Sequence, residues 1–89
     1  MKSSSLIGEP NYLQISNKII GETFKDYRES NDLMQKEVAE FLRCDRTRIS
    51  KIEIGRVTVS FLEIVLFCEM LEIDLDQFYN TIKKKLTYK

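Results

Sequence analysis

The residues with the most chemistry to offer lie between positions 43 and 56. Arg43, Arg46, Arg48, Lys51 and Arg56 stand there against only Asp45 and Glu53, a local net charge of +3 in a chain whose 14 basic and 14 acidic residues cancel overall. Neighbouring segments differ in sign: residues 57–80 carry five acids and no base, residues 81–89 four lysines and no acid. A zero sum does not favour a polyanionic partner. Binding one depends, however, on a local positive face rather than on the total.

Other chemistries find little support. The chain has no histidine to act as a base, and its glycines, Gly8, Gly21 and Gly55, are too scattered to build a phosphate-cradling loop. Cys44 and Cys68 lie far apart in sequence and have no clustered partners of the kind a metal site needs, so neither a metal nor a cofactor is expected. Both cysteines fall in apolar surroundings and read as buried thiols. The longest apolar run, Ile64 to Cys68, is far short of the ~20 residues of a membrane span, so no membrane partner is expected and the protein should be cytoplasmic.

A chain of 89 residues is one domain, and the pattern that positions the basic segment is helical throughout. Residues 1–15 read as a partly flexible leader, broken at Gly8-Glu9-Pro10-Asn11. Ser16 or Asn17 can cap a first helix with Ile19, Ile20, Phe24 and Tyr27 at helical spacing. A second helix spans about Gln35 to Leu42, with Val38, Ala39 and Leu42 inward. After a very short connection, Asp45 can cap a third helix from Arg46 to about Ile54, ended by Gly55. Ser60 can cap a fourth, Phe61 to about Leu71, with Phe61, Ile64, Phe67, Cys68 and Leu71 as its core stripe. A fifth follows Asp74 and can run on through Ile82 to Leu86 within the basic tail, residues 81–89. The fold class is all-α, five helices, with the domain at residues 16–80.

Two short helices joined by a tight turn, the second of them basic, match the physical plan of a helix-turn-helix. From Ile20 to Tyr79 the sequence resembles the Cro/C1-type (XRE-type) helix-turn-helix family. Arg28 followed by Gln35, the supporting segment Gln35-Lys36-Glu37-Val38-Ala39-Glu40-Phe41-Leu42, and Asp45-Arg46-Thr47-Arg48-Ile49-Ser50-Lys51-Ile52-Glu53-Ile54-Gly55-Arg56 carry the likeness. The lambda-repressor-like fold would be its framework. The small size resembles that of phage repressors and restriction–modification controller proteins.

The resemblance implies roles. Arg46, Thr47, Ser50 and Lys51 fall where the family reads base edges of double-stranded DNA, and an arginine at position 46 can bind guanine O6 and N7 with two parallel hydrogen bonds. Gln35, Arg48 and Arg56 fall at DNA-phosphate positions, and Arg28 with Glu53 at a structural ion pair. The chain departs from the pattern where Met34 replaces the usual capping Ser or Thr, leaving Glu37 without a capping-box partner, where Asp32 replaces a turn glycine, and where Ile54 replaces an Asn.

On the fourth helix a second apolar stripe, Leu62, Leu66 and Met70, lies roughly opposite the core stripe. A helix apolar on both sides is usually buried on both. The stripe is read as a two-fold homodimer contact, unless the leader or the tail folds back over it. The expected function is a non-enzymatic transcriptional regulator binding a near-palindromic operator as a dimer, with RNA polymerase as a further partner if it activates. The competing reading is a protein-binding module such as an antitoxin or a coactivator bridge. Lys83, Lys84, Lys85 and Lys89 read as a solvated helix end that favours the helix dipole.

Overall fold

Two of the helix starts in this protein are fixed by a capping side chain. The computed structural model describes residues 12–87, with side chains from Ser16 onward, and holds five helices and no strand among them: α1 Tyr12–Ser30, α2 Gln35–Leu42, α3 Arg46–Glu53, α4 Phe61–Leu71 and α5 Leu75–Thr87. The all-α five-helix architecture expected from the sequence is the one observed. The leader residues 1–11 and Lys89 lie outside the described residues. No helix among the described residues is long and apolar enough to cross a membrane.

At the start of α3 the Asp45 carboxylate accepts the Arg48 N–H at 3.0 Å. At α4, Ser60 Oγ accepts the Glu63 N–H at 3.1 Å while the Glu63 carboxylate accepts the Ser60 N–H at 2.9 Å, a complete capping box. Half a box also survives at α2. Glu37, expected to lack a partner there, accepts the Met34 N–H at 2.7 Å, because that donor belongs to the backbone whatever side chain Met34 carries. Non-glycine residues take the left-handed turns at Asp32 (φ 56°), Arg43 (φ 63°) and Glu72 (φ 57°). Only α3 ends on a glycine, Gly55, at φ 79°.

α1 begins at Tyr12, earlier than Ser16 or Asn17. Asn17 does not cap it. Its amide nitrogen instead donates to Thr58 Oγ1 at 3.1 Å, across to the loop before α4.

The core is centred on three phenylalanines from α1, α4 and α5. Phe24 and Phe67 stack with centroids 4.0 Å apart, and Phe78 meets Phe24 edge-on at 5.7 Å. Val38, Ile49 and Ile52 close around them, each essentially without exposure. Two sequence expectations fail at the margins. Phe61, assigned to the core stripe of α4, is 69% exposed; its position at the first turn swings it past the core toward α5. Cys68 is buried, but Cys44, in the turn between α2 and α3, is only partly so. Burial raises both thiols above their ordinary pKa, which keeps them protonated.

α1 crosses the far end of α3 with almost no side chain between them. A Cβ at Gly21 would lie 2.2 Å from the Ile52 carbonyl oxygen, and one at Gly55 would lie 2.8 Å from Lys18 Cα. α5 is tied back to α1 by the Tyr27–Thr81 hydroxyl bond at 3.0 Å and by Lys85 Nζ, 2.8 Å from Asp26 Oδ2 and 3.8 Å from Glu22 Oε1. Lys85 is therefore engaged within the fold, unlike a purely solvated lysine of a helix end.

Candidate nucleic-acid interface

α3 is short, amphipathic and fixed at both ends. Ile49 and Ile52 anchor its inner side. With those residues turned inward, Arg46, Thr47 and Lys51 are exposed and Ser50 is half-buried, so the four expected base-reading residues fall on the first two turns of one helix. Arg56 is exposed just beyond Gly55.

Beneath this surface runs a chain of hydrogen bonds. The Arg28 side chain is 12% exposed and that of Glu53 3%. Arg28 Nε donates to Glu53 Oε2 at 2.6 Å, Nη2 donates to Oε1 at 3.1 Å, and Nη1 donates to the Leu33 carbonyl at 2.8 Å. Gln35 Nε2 donates to Glu53 Oε1 at 2.9 Å. With its nitrogen committed to the carboxylate, Gln35 must turn its oxygen outward, and there it accepts Arg46 Nη1 at 3.0 Å. A buried ion pair thus sets the orientation of an amide, and the amide holds an exposed arginine at the start of α3. The pair raises the Arg28 pKa, chiefly through the Glu53 hydrogen bond, so Arg28 stays charged.

Arg48, placed at a phosphate by the resemblance, has a different neighbour. Its Nε donates to Glu63 Oε2 at 2.7 Å, and its Nη2 donates to Glu63 Oε1 at 2.8 Å and to the Thr58 carbonyl at 3.3 Å. The guanidinium and the capping contact with Ser60 hold the Glu63 carboxyl down at about 2. Sequence reasoning missed this pair, although the spacing Ser60-x-x-Glu63 marks the carboxylate that forms it.

The second stripe of α4 is only partly open. Leu62 is 64% exposed, whereas Leu66 and Met70 are partly buried against the core. Other exposed apolar groups flank Leu62. Phe41 on α2 shares a groove with Leu62 and Leu66. On the other side Phe61, Leu75 and Tyr79 border a groove between α4 and α5 whose wall includes Ile64 and Ile82. The end of α5 thus packs beside Phe61 and does not cover Leu62.

The sequence model described as a helix-turn-helix domain matches residues 19–78. Among solved structures, the clp gene regulator ClgR from Corynebacterium glutamicum superposes with a TM-score of 0.77 at 19% identity, over 82% of this chain and 78% of that one. The restriction-modification controller protein C.AhdI from Aeromonas hydrophila gives a TM-score of 0.67 at 22% identity, over 72% and 97%. A variant of the controller protein C.Esp1396I gives 0.73 at 22%, over 81% and 91%. At these identities the likeness is one of fold. No curated protein matches the chain in sequence.

Proposed function

From the premise that the chain belongs to the helix-turn-helix domain family, a family of DNA-binding regulators, we propose that it reads a specific double-stranded DNA site in the major groove through α3 and regulates transcription as a homodimer. The observation that carries the reading is Arg46, exposed at the start of α3 and held there by Gln35 from the buried Arg28–Glu53 pair. An arginine presented this way can exchange one neutral acceptor for the two acceptors of a guanine. Thr47, Ser50 and Lys51 complete the reading edge and Arg56 would meet a flanking phosphate, whereas Gln35, expected at a phosphate, has its amide nitrogen turned to Glu53 and its oxygen to Arg46 and serves as the brace of that arginine.

The dimer face includes Leu62, Leu66 and Met70, and the exposed Phe61, Leu75 and Tyr79 extend it to α5. Two α3 helices would then sit ~34–36 Å apart on a near-palindromic operator. The names of the structural neighbours, a gene regulator and two restriction–modification controllers, fit this class.

The test is fluorescence anisotropy on duplexes selected from a randomised pool. A near-palindromic site should emerge, with affinity falling steeply as salt rises. Arg46→Ala should cost ~1–3 kcal/mol at one position of each half-site and little elsewhere. If no site enriches and Arg46→Ala changes nothing, the reading fails.

A further inference from the structure

Two arginines two residues apart on α3 are held by different partners. Arg46 gives one hydrogen bond to a neutral amide oxygen and is exposed. Arg48 is gripped by both oxygens of a carboxylate and by the Thr58 carbonyl. We infer that Glu63 is a positioning residue for DNA recognition: it keeps the Arg48 guanidinium on the protein and so withdraws it from the DNA backbone.

The argument rests on the DNA-binding reading and on the geometry around Glu63. Arg48 commits three of its five N–H groups, in the bidentate fork that gives an arginine–carboxylate pair its directionality. The carboxylate cannot follow a departing arginine, because Glu63 Oε1 also accepts the Ser60 N–H at 2.9 Å in the cap of α4. If Arg48 left for a phosphate, Glu63, with a side chain only 15% exposed, would remain as an unpaired anion close to the anionic duplex. While Arg48 is bound the Glu63 carboxyl is held at about 2, so the restraint does not titrate away at the pH of a binding assay. Arg46 meets no such opposition, since leaving Gln35 strands no charge. Restraining one cation while freeing the other trades indiscriminate backbone affinity for base discrimination.

The experiment compares wild type, Arg48→Ala, Glu63→Gln and the double variant on the selected site and on an unrelated duplex, across a salt series. Glutamine keeps the capping carbonyl and removes the charge. The slope of log affinity against log salt counts phosphate contacts and compares each sample with itself, so a change in fold stability does not mimic the effect. Arg48→Ala should leave the wild-type slope unchanged. Glu63→Gln should steepen it by ~0.9 per protomer, or ~1.8 for the bound dimer, a further ~12-fold loss of affinity between about 50 and 200 mM salt, and should tighten binding to the unrelated duplex at low salt. Arg48→Ala in the Glu63→Gln background should abolish that gain.

If Arg48→Ala lowers the slope of the wild type and Glu63→Gln does not raise it, Arg48 touches a phosphate, Glu63 merely steadies it, and the inference is overturned while DNA binding stands. A wild type that shows no salt-dependent binding to any duplex ends the DNA-binding reading and the inference together.

Discussion

Replacing Arg28 by methionine should nearly unfold the protein, and replacing its partner as well should rescue the fold without rescuing recognition. In Arg28→Met the Glu53 carboxylate keeps only the Gln35 amide as a partner while remaining 3% exposed, and the Leu33 carbonyl loses its guanidinium donor. Breaking one side of a buried ion pair costs ~3–5 kcal/mol, because a charge is left uncompensated. A domain of 89 residues has ~4–13 kcal/mol in total, so the single change removes about a quarter of the margin at the least and all of it at the most. In urea denaturation, at a slope of ~1 kcal/mol per molar, the midpoint should fall by ~3 M or the folded baseline should vanish. Arg28→Met combined with Glu53→Leu removes both charges and should recover most of the loss. Yet Gln35 Nε2 then has no carboxylate to face, its oxygen is no longer directed at Arg46, and the base preference at that position should flatten. A loss below ~1 kcal/mol for Arg28→Met would refute the energetic argument. A folded double variant with wild-type base preference would refute the relay.

Three further outcomes follow from the geometry. Gly21→Ala should cost ~3 kcal/mol or more in thermal unfolding, despite alanine's better helix propensity, because its methyl would meet a backbone carbonyl that cannot move aside. The Glu63 carboxyl, held at about 2 against an ordinary 4.5, contributes stability that is complete above about pH 4.5 and is lost as the pH falls toward 2. With Arg48 partly open to solvent the contribution is ~1–2 kcal/mol, and an acid titration of unfolding midpoints should show this loss in wild type and a smaller one in Glu63→Gln. Leu62→Glu should shift the protein toward monomer in light scattering at micromolar concentration while leaving α3 folded; a variant that stays dimeric would move the interface elsewhere.

The helices were legible because their boundaries depend on local chemistry. Gln35–Leu42 and Phe61–Leu71 coincide with the expected spans, and Asp45 and Ser60 cap where their side chains allow. Arg28 and Glu53 could be paired only through the family pattern, since no local rule joins residues so far apart. What could not be read depends on three-dimensional approach. The exposure of Phe61 turns on the crossing of α4 and α5, and Asn17 lies inside a helix that already begins at Tyr12, its amide reaching a hydroxyl on a distant loop. The partner of Arg48 was hidden for the same reason: a basic residue on a polar helix looks free until the neighbouring helix is in place. Gly21 gave no sign at all, since a glycine inside a helical pattern reads as a weakness until the carbonyls opposite it are known.

The close passage of α1 over the end of α3 also bears on how a duplex must meet this protein. Where backbone lies on backbone at Gly21 and Gly55, no layer of adjustable side chains is left to absorb a tilt. In the proposed dimer each α3 then cannot tilt against its own α1, so a mismatch with straight B-form DNA falls on the dimer contact or on the duplex. Bending or overtwisting the base pairs between half-sites costs different amounts for different steps, least at flexible pyrimidine–purine ones. Where the duplex yields, the base pairs between the proposed half-sites should carry a sequence preference of their own.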